Sequence, residues 1–219
     1  MFRKELIALG GVAAAVFLVV AGLASWAVRI VQYDASMVAR DTLPGLENAG
    51  GAIIRLHENW FNTYRLLSVN SPETRIQLMN GIETNSTGEM WERYSESIYD
   101  ERDAQLFQAV EKARADYLKA RSNFFKLVRS SSMTDARDFL SGKLDSAHQK
   151  YSHAAADLFT FNAEIGQQRS NRIIHLSPST PYLLGALGVV VLLAGVFVGF
   201  KASLGTFSLA PGNYAKSAK

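Results

Sequence analysis

Histidines and carboxylates are the residues of this chain that could carry acid–base or metal chemistry, but their spacing favours neither. The two nearest histidines, His148 and His153, are five positions apart, which places them on different faces of a helix. We therefore expect both side chains to be solvated. Several glutamates stand at helical spacing, yet the Glu-x-x-His pairs of di-iron bundles are absent. The histidines are His57, His148, His153 and His175, and the glutamates are Glu58, Glu89, Glu92 and Glu96.

Other sequence signatures of catalysis are also absent. The chain has no cysteine, which excludes disulfides and thiolate metal sites. It has no phosphate-binding loop, nucleophile elbow or dinucleotide fingerprint. The formal net charge of +3 is too small to argue for nucleic acid, and no basic stripe interleaved with aromatic residues supports it. We therefore predict a protein that is not an enzyme, holds no metal or cofactor and binds no nucleic acid.

Ligand binding leaves no fixed sequence signature, and five residues are candidates for it. Arg55 and Arg65 could clamp a carboxylate. Trp60, Trp91 and Tyr94 could form the wall of an apolar pocket. Both groups have a structural alternative, because Trp60 stands at a core position of its helix and the two arginines belong by default to a solvated face.

Two charge-free apolar runs, Leu6–Val28 and Tyr182–Phe200, lie near the ends of the chain. Each is long enough for a helix to cross a hydrocarbon core of about 30 Å at roughly 1.5 Å per residue. The first run exceeds the roughly 7–15 apolar residues of a cleavable signal peptide, so we predict an uncleaved anchor, with a signal peptide as the alternative. Both runs contain small residues that would let membrane helices approach closely. These are Gly11 with Ala15, and Gly195 with Gly199.

Basic residues flank both runs on the side of the chain termini. Arg3 and Lys4 precede the first run, and Lys201 begins a tail without aspartate or glutamate. An excess of Lys and Arg marks the cytoplasmic side of a membrane protein, and a domain of this size translocates largely regardless of its charge. We therefore predict that both termini are cytoplasmic and that the segment between the runs lies outside the cytoplasm.

The segment between the runs has helical periodicity, with apolar residues at alternating spacings of four and three. It predicts four helices, at about residues 30–69, 72–98, 101–131 and 134–176. The polar stretch Asn80–Gly88 is either a break in the second helix or a contact surface. Short joints force antiparallel neighbours, so the predicted fold is all-α, an up-down-up-down four-helix bundle flanked by two transmembrane helices. The predicted seams are Leu46, Ala49, Ile53, Leu56, Trp60, Thr63 and Leu67; Leu106, Val110, Ala113, Tyr117, Ala120, Phe124 and Leu127; and Leu140, Leu144, Ala147, Tyr151, Ala154, Leu158, Phe161 and Ile165.

Pro178 and Pro181 stand between the bundle and the second apolar run. They either break the last bundle helix before the membrane or, in the case of Pro181, begin the second span in the ordinary way. The predicted organisation is a cytoplasmic N-terminus at 1–5, a transmembrane helix at 6–29, the bundle at 30–176, a proline joint at 177–181, a second transmembrane helix at 182–200 and a cytoplasmic tail at 201–219.

Layout and local pattern together resemble a known family. Leu43–Pro44 lies near the start of the first long helix, Ile53–Leu56 follows, and the four-helix bundle ends in a returning span. This arrangement resembles the four-helix-bundle sensory domain of methyl-accepting chemotaxis receptors over roughly residues 1–200. The resemblance implies a bundle in the periplasm of a bacterium, held in the inner membrane by two spans. It also implies a module that is commonly dimeric and that binds small molecules or partner binding proteins.

A receptor of that kind continues after the second span into a HAMP linker and a long signalling coiled coil. This chain ends about nineteen residues after it. We therefore predict a sensory module that lacks its own output domain and acts through a partner. The alternative is a structural or accessory subunit of a larger membrane complex. The expected partners are membrane lipid, a second copy of the chain or another membrane protein, and a small-molecule ligand.

Overall fold

The computed structural model describes the backbone of residues 2–176, 182, 185, 188 and 189, and the side chains among them from Gly10 onward apart from Ala13. The described part is helical and contains no strand. The chain divides into two compact units, Asp34–Asn171, which we call the bundle unit, and Met1–Tyr33 with Arg172–Lys219, which we call the terminal unit. The helices are α1 (Phe2–Met37), α2 (Leu43–Leu66), α3 (Pro72–Thr84), α4 (Gly88–Ser95), α5 (Glu101–Arg129), α6 (Met133–Phe139) and α7 (Asp145–Leu176).

Two short π-helical stretches join helices that the sequence predicts as continuous. Val38–Thr42 joins α1 to α2, and Leu140–Leu144 joins α6 to α7. The first lies directly before Pro44, whose ring has no amide hydrogen and clashes with the carbonyl four residues earlier in a regular helix. A wider π turn at this point accommodates the proline without ending the helix. By length and composition, one helical stretch of the described residues, Gly10–Leu66, could cross a membrane.

Side-chain caps fix where two of the bundle helices begin. The Ser71 hydroxyl accepts a hydrogen bond from the Thr74 amide, directly before Pro72 at the start of α3. At the start of α5 the Asp100 carboxylate accepts from the amides of Arg102 and Asp103, at 2.7 and 3.3 Å. The predicted start of the second bundle helix, at residue 72, agrees with the start of α3.

The predicted second helix is broken where its polar stretch stands. α3 ends at Thr84 and α4 begins at Gly88. The break is hydrogen-bonded to α2, because Asn59 Nδ2 donates to the Asn85 carbonyl at 2.7 Å and Arg55 Nη1 donates to the Ser86 carbonyl at 3.0 Å. Carbonyls freed from the helix thus find donors on α2, which is why the break is tolerated.

The core of the bundle unit comes from α2 to α7. The three predicted joints, between residues 69 and 72, 98 and 101, and 131 and 134, agree with the observed joints within a few residues, whereas no helix begins near residue 30, since α1 begins at Phe2. The core centre contains Leu144, Tyr151 and Leu158, spaced by seven, as the predicted seam requires. Three other predicted seam positions of α7 are less buried than the residues that directly follow them in the sequence. The buried residues are His148, Ala155 and Asn162, whereas Ala147, Ala154 and Phe161 are half-buried.

Small residues allow α2 and α7 to approach closely within the bundle unit. A Cβ atom on Gly45 would lie 2.9 Å from Asn162 Oδ1, and one on Gly166 would lie 2.6 Å from Thr42 Cγ2. Arg169 Nη1 donates to Asp41 Oδ2 at 2.5 Å and to Thr42 Oγ1 at 2.8 Å, and the Asp41–Arg169 pair is largely buried. A buried pair of this kind requires both partners, since loss of either would leave a charge uncompensated.

Candidate functional site

A cleft of about 380 Å³ lies between α4 and α5. Its size is at the lower end of the roughly 300–1,000 Å³ typical of small-molecule sites. The lining combines aromatic rings with charged groups of both signs. α4 contributes Gly88, Trp91, Glu92 and Ser95, and α5 contributes Phe107, Glu111 and Arg114.

The floor of the cleft is a set of aromatic rings with fixed positions. Trp91 is 1% exposed, and its indole Nε1 donates to Tyr151 Oη at 2.5 Å. The Phe107 ring lies 6.3 Å from that of Trp91 and stacks on Tyr94 at 5.4 Å. Thr87 Oγ1 lies 2.9 Å from Tyr151 Oη, so the hydroxyl that holds the indole is itself hydrogen-bonded. Because these polar tips are satisfied inside the core, the rings offer the cleft an apolar and rigid surface.

Arg114 is the cationic group of the cleft. Its side chain is 21% exposed, and Nη1 lies 3.3 Å from Glu111 Oε1 on the same helix. The guanidinium lies against Gly88, where a Cβ atom would come within 3.0 Å of Nη2. Nε is buried and has no hydrogen-bond partner among the described residues. A buried N–H without an acceptor costs free energy, and because Nε has almost no accessible surface it is not itself reached from the cleft.

A buried polar network lies next to the aromatic floor. Tyr94 donates its hydroxyl hydrogen to Asp103 Oδ1 at 2.5 Å, and Asn162 Nδ2 donates to Tyr94 Oη at 2.5 Å and to the Leu158 carbonyl at 3.1 Å. Burial raises the pKa of the Asp103 carboxyl, while the two hydrogen bonds it accepts oppose that shift. Burial, and then the Asp103 carboxylate, raise the pKa of Tyr94. The network therefore fixes the register of α4, α5 and α7 around the cleft.

A family model for a four helix bundle sensory module for signal transduction matches residues 3–175. The chain belongs to this family of chemotaxis-receptor sensory modules. This match confirms the resemblance to chemotaxis-receptor sensory domains that the sequence indicates. Neither a search of curated proteins nor a search of solved structures finds a match. An all-helical bundle with a role in signal transduction follows from the family and from the helices of the described residues.

The sensory module brings together only part of the predicted ligand set. Trp91 lines the cleft, and Tyr94 lies directly behind it as a partner of Phe107. Arg55, Trp60 and Arg65 belong to α2 and do not line this cleft. Arg65 is exposed and donates to Asn62 Oδ1 at 3.2 Å, while Trp60 packs half-buried against the core, as its structural alternative expected.

Sequence reasoning missed Arg114, Phe107 and Glu111. The available signal was their spacing, since positions 107, 111 and 114 share one face of a helix. Two of the three are charged, and charged side chains on a helix ordinarily face solvent. Nothing in the sequence of α5 alone indicates that α4 passes beside them, which is why the cleft could not be recognised.

The prediction that His148 is solvated is wrong. Its side chain is 7% exposed, and its ring stacks on Trp60 with centroids 4.0 Å apart and an interplanar angle of 5°. His57 and Tyr117 approach its ring at 5.9 and 6.0 Å. Burial, with a smaller effect from His57, lowers the pKa of His148 to about 4. His153 is exposed, as expected.

Clusters suited to a metal ion are not found among the described residues, in which no three His, Cys, Asp or Glu side chains come together. Of the predicted membrane contacts, Gly11 and Ala15 lie on the exposed surface of α1 in the terminal unit. Gly195, Gly199, Pro178 and Pro181 lie outside the described residues, as does most of the predicted second span.

Proposed function

We propose that this chain is a membrane-anchored sensory module, whose bundle lies outside the cytoplasm and binds a small molecule in the α4–α5 cleft. The observation that carries the proposal is the match of residues 3–175 to a family of sensory modules for signal transduction. In such a module the ligand-bound state is read by a signalling protein, which we propose as the functional partner. The apolar run Leu6–Val28 and the candidate span within Gly10–Leu66 support the membrane anchor.

The proposed topology of the bundle is antiparallel, up-down-up-down. Contacts between α2 and α7 support it, because residues with higher numbers in α2 contact residues with lower numbers in α7. Gly45 faces Asn162, and Trp60 stacks on His148. The joints between consecutive bundle helices span only residues 67–71, 96–100 and 130–132, which leaves room for a direct reversal and no more.

A second copy of the chain is the proposed partner of the outer face of α2. Leu43, Ile54 and Phe61 on this face are 57%, 61% and 66% exposed, and their spacings of eleven and seven place them in one row. Tyr64, three positions beyond Phe61, is 47% exposed. Large apolar side chains in a row at coiled-coil spacing are typical of a helix that pairs with another helix. The resemblance to dimeric receptors makes α2 of a second copy the natural occupant.

Disulfide cross-linking in native membranes tests this arrangement. The chain has no cysteine, so single substitutions give an unambiguous signal. Phe61→Cys should form a covalent homodimer rapidly under mild oxidation, whereas Asn123→Cys on the exposed side of α5 should remain monomeric. Cross-linking of Phe61→Cys to a different protein, with no homodimer, would instead support an accessory subunit of a larger complex.

The location of the bundle is tested with the same cysteine-free background. Asn123→Cys should react with an impermeant thiol reagent added to intact spheroplasts, and Ser217→Cys should react only after the membrane is opened. Labelling of Ser217→Cys alone in intact spheroplasts would place the bundle in the cytoplasm and reverse the proposed topology.

A further inference from the structure

A second groove of the bundle unit, about 620 Å³ in volume, lies between α5 and the residues around the start of α7. One wall comes from residues 109–116 and the other from residues 143–150, so the groove is about two helical turns long. Ala113 and Ala147 line it and are half-buried, and side chains this small let another helix approach closely. We call it the lysine groove, after the charged residues of its lining, which are Lys112, Lys143, Lys150 and Asp116.

The charged side chains of the lysine groove are exposed, and they form no ion pair among the described residues. Three positive charges and one negative charge give the lining a net charge of +2. Like charges in one groove repel one another, so a surface of opposite charge lowers the electrostatic free energy when it binds there.

An acidic surface of matching length lies on α4 of the same chain. Glu89, Glu92 and Glu96 are exposed, and their spacings of three and four place them on one face over about two turns. Glu96 is the C-cap residue of the helix. Arg93 beside them is paired with Glu89, so the surface carries a net charge of −2. We call these four residues the acidic face of α4.

The acidic face of α4 cannot occupy the lysine groove of its own chain. Trp91 and Tyr94, on the opposite side of α4, are buried in the bundle core and fix the helix in place. The cleft between α4 and α5 is lined by Phe107, Glu111 and Arg114, whereas the lysine groove uses another face of α5. A contact between the two surfaces therefore joins two copies of the chain.

We propose that the lysine groove of one copy binds the acidic face of α4 of a second copy in the same membrane. The two surfaces match in length and carry opposite charges of equal size. The contact pairs different surfaces of the two copies, and heterologous contacts of this kind join molecules into rings or open chains. Neither surface includes the exposed row of α2, so copies paired through α2 keep both surfaces free, and one dimer binds the next.

The contact is short, and this decides where it can be measured. A pairing over about two helical turns is smaller than the roughly 1,200–2,000 Å² of a standard interface, so it is too weak to join free copies in dilute solution. Copies held in one membrane have a high effective concentration, at which a weak contact is populated. Cross-linking in native membranes is therefore the test, and it takes from the proposed function only that the copies share a membrane.

Two cysteine variants that carry different tags are co-expressed for this test. Ser146→Cys places a thiol in the lysine groove, and Ser95→Cys places one beside the acidic face of α4. Mild oxidation should give a disulfide between the two tagged chains, which we call the mixed disulfide, because the natural chain has no cysteine. In the control, Gln77→Cys on the exposed surface of α3 replaces Ser95→Cys and should give no mixed disulfide.

Charge reversal identifies the groups that make the contact. Lys143→Glu with Lys150→Glu in the groove copy should lower the yield of the mixed disulfide about fivefold, since like charges then face each other. Glu89→Lys with Glu96→Lys in the other copy should restore about half of the lost yield or more.

Two controls separate this effect from a general effect of charge. Arg102→Glu with Arg137→Glu makes an equal change of charge on exposed residues outside the lysine groove, and should leave the yield unchanged. About 0.5 M NaCl shortens the Debye length to about 4 Å and should lower the yield with the natural charges.

Folding of the variants is checked by the α2 cross-link. Phe61→Cys, introduced as the single cysteine of each charge variant, should form a homodimer as readily as it does with the natural charges. Loss of the mixed disulfide with an intact Phe61→Cys homodimer then concerns the lysine groove alone. Loss of the Phe61→Cys homodimer with an intact mixed disulfide would count against the α2 pairing and leave the groove contact standing.

Three results would overturn the proposal. The first is the absence of a mixed disulfide between Ser146→Cys and Ser95→Cys, including the case in which Ser146→Cys cross-links to a different protein instead. The second is a yield that Lys143→Glu with Lys150→Glu does not change. The third is a lost yield that Glu89→Lys with Glu96→Lys does not recover. None of these results bears on the sensory function, which is judged by signalling output.

Discussion

At the scale of single residues, the core of the bundle unit contains polar side chains whose chemistry depends on their neighbours. His148 lies between Trp60 and Tyr117, and its Nε2 has no hydrogen-bond partner among the described residues. A neutral imidazole can remain there as an aromatic ring, whereas an imidazolium would be a buried charge whose desolvation Asp145 only partly offsets. His148 therefore acts as a packing residue at neutral pH and as a source of instability in acid.

The pH dependence of stability follows from that shift. The pKa of His148 falls from 6.5 to about 4 on folding, so the unfolded chain binds the proton first as the pH falls. Its contribution to stability is complete above pH 6.5 and is lost progressively between pH 6.5 and 4, which amounts to about 2 kcal/mol between pH 7.5 and 5. His148→Phe, which keeps the stack on Trp60, should remove this part of the loss.

Chemical denaturation of the full chain in detergent at the two pH values measures the effect, with His153→Gln as the control at an exposed position. Asp103 has a raised pKa and contributes with the opposite sign, but equally in both variants. If the natural chain and the His148→Phe variant lose the same stability between the two pH values, the pKa of His148 is not lowered in the folded chain.

The hydrogen bonds of Asn162 provide a second prediction at this scale. Asn162→Ala removes a donor to Tyr94 Oη and leaves a buried polar group short of a partner, which typically costs about 1–3 kcal/mol. Asn123→Ala, on an exposed position of α5, should change stability by less than about 0.5 kcal/mol. Thermal unfolding of both variants followed by circular dichroism compares them, and equal effects would mean that the network does not contribute.

At the scale of elements, the turn between α5 and α6 is the place where local geometry and residue type disagree. The amides of Ser131 and Ser132 bond back to the carbonyls of Val128 and Leu127, at 3.2 Å each, which is the hydrogen-bond pattern of a Schellman motif. Its left-handed position is Ser131, with φ of 62°, where glycine is the usual residue. The left-handed conformation of Ser131 is therefore less favourable than it would be for glycine, which lowers the stability of the turn.

Replacing Ser131 by glycine tests whether the left-handed conformation lowers stability. Ser131→Gly should stabilise the chain by about 0.5–1 kcal/mol, because glycine adopts positive φ without a clash of its Cβ atom. Ser130→Gly, at φ of −76°, gains nothing and should destabilise slightly. If the two variants shift the thermal midpoint equally, the left-handed assignment of Ser131 is incorrect.

Packing along α7 gives a further prediction. Leu158 is fully buried on the row of Leu144 and Tyr151, so Leu158→Ala should cost about 2–5 kcal/mol. Lys119→Ala on the solvent side of α5 should change stability by less than about 0.5 kcal/mol. Comparable losses at the two positions would show that α7 packs through a different face.

Periodicity predicted these elements well because each helix repeats its apolar residues over many turns. The predicted seams omitted buried positions next to them. His148, Asn162 and Asn59 are buried, but because they are polar they were not assigned to the core. Their burial depends on partners in other helices, which no single segment of sequence contains. For the same reason the sequence identifies only some of the residues that line the cleft. Trp91 can be recognised as a large aromatic residue. Arg114 differs from a solvated arginine only because α4 packs beside it.

At the scale of the whole molecule, the proposed sensory module consists of a membrane anchor, a bundle and a ligand cleft. The family match, at residues 3–175, covers the bundle unit and the whole of the predicted first span. The exposed row of α2 and the α4–α5 cleft lie on different helices, so a second copy on α2 does not need the residues that line the cleft. Dimerisation and ligand binding can then be altered separately by substitution.

Signalling output tests the central claim, a sensory role, most directly. Residues 1–200 fused to the HAMP linker and signalling domain of a chemotaxis receptor should make kinase activity in membranes respond, in a dose-dependent way, to a compound shown by calorimetry to bind the chain. Arg114→Lys should abolish the response at concentrations that saturate the natural chain, and Arg121→Gln should preserve it. Kinase activity that stays constant while the compound binds at saturation would contradict the sensory account.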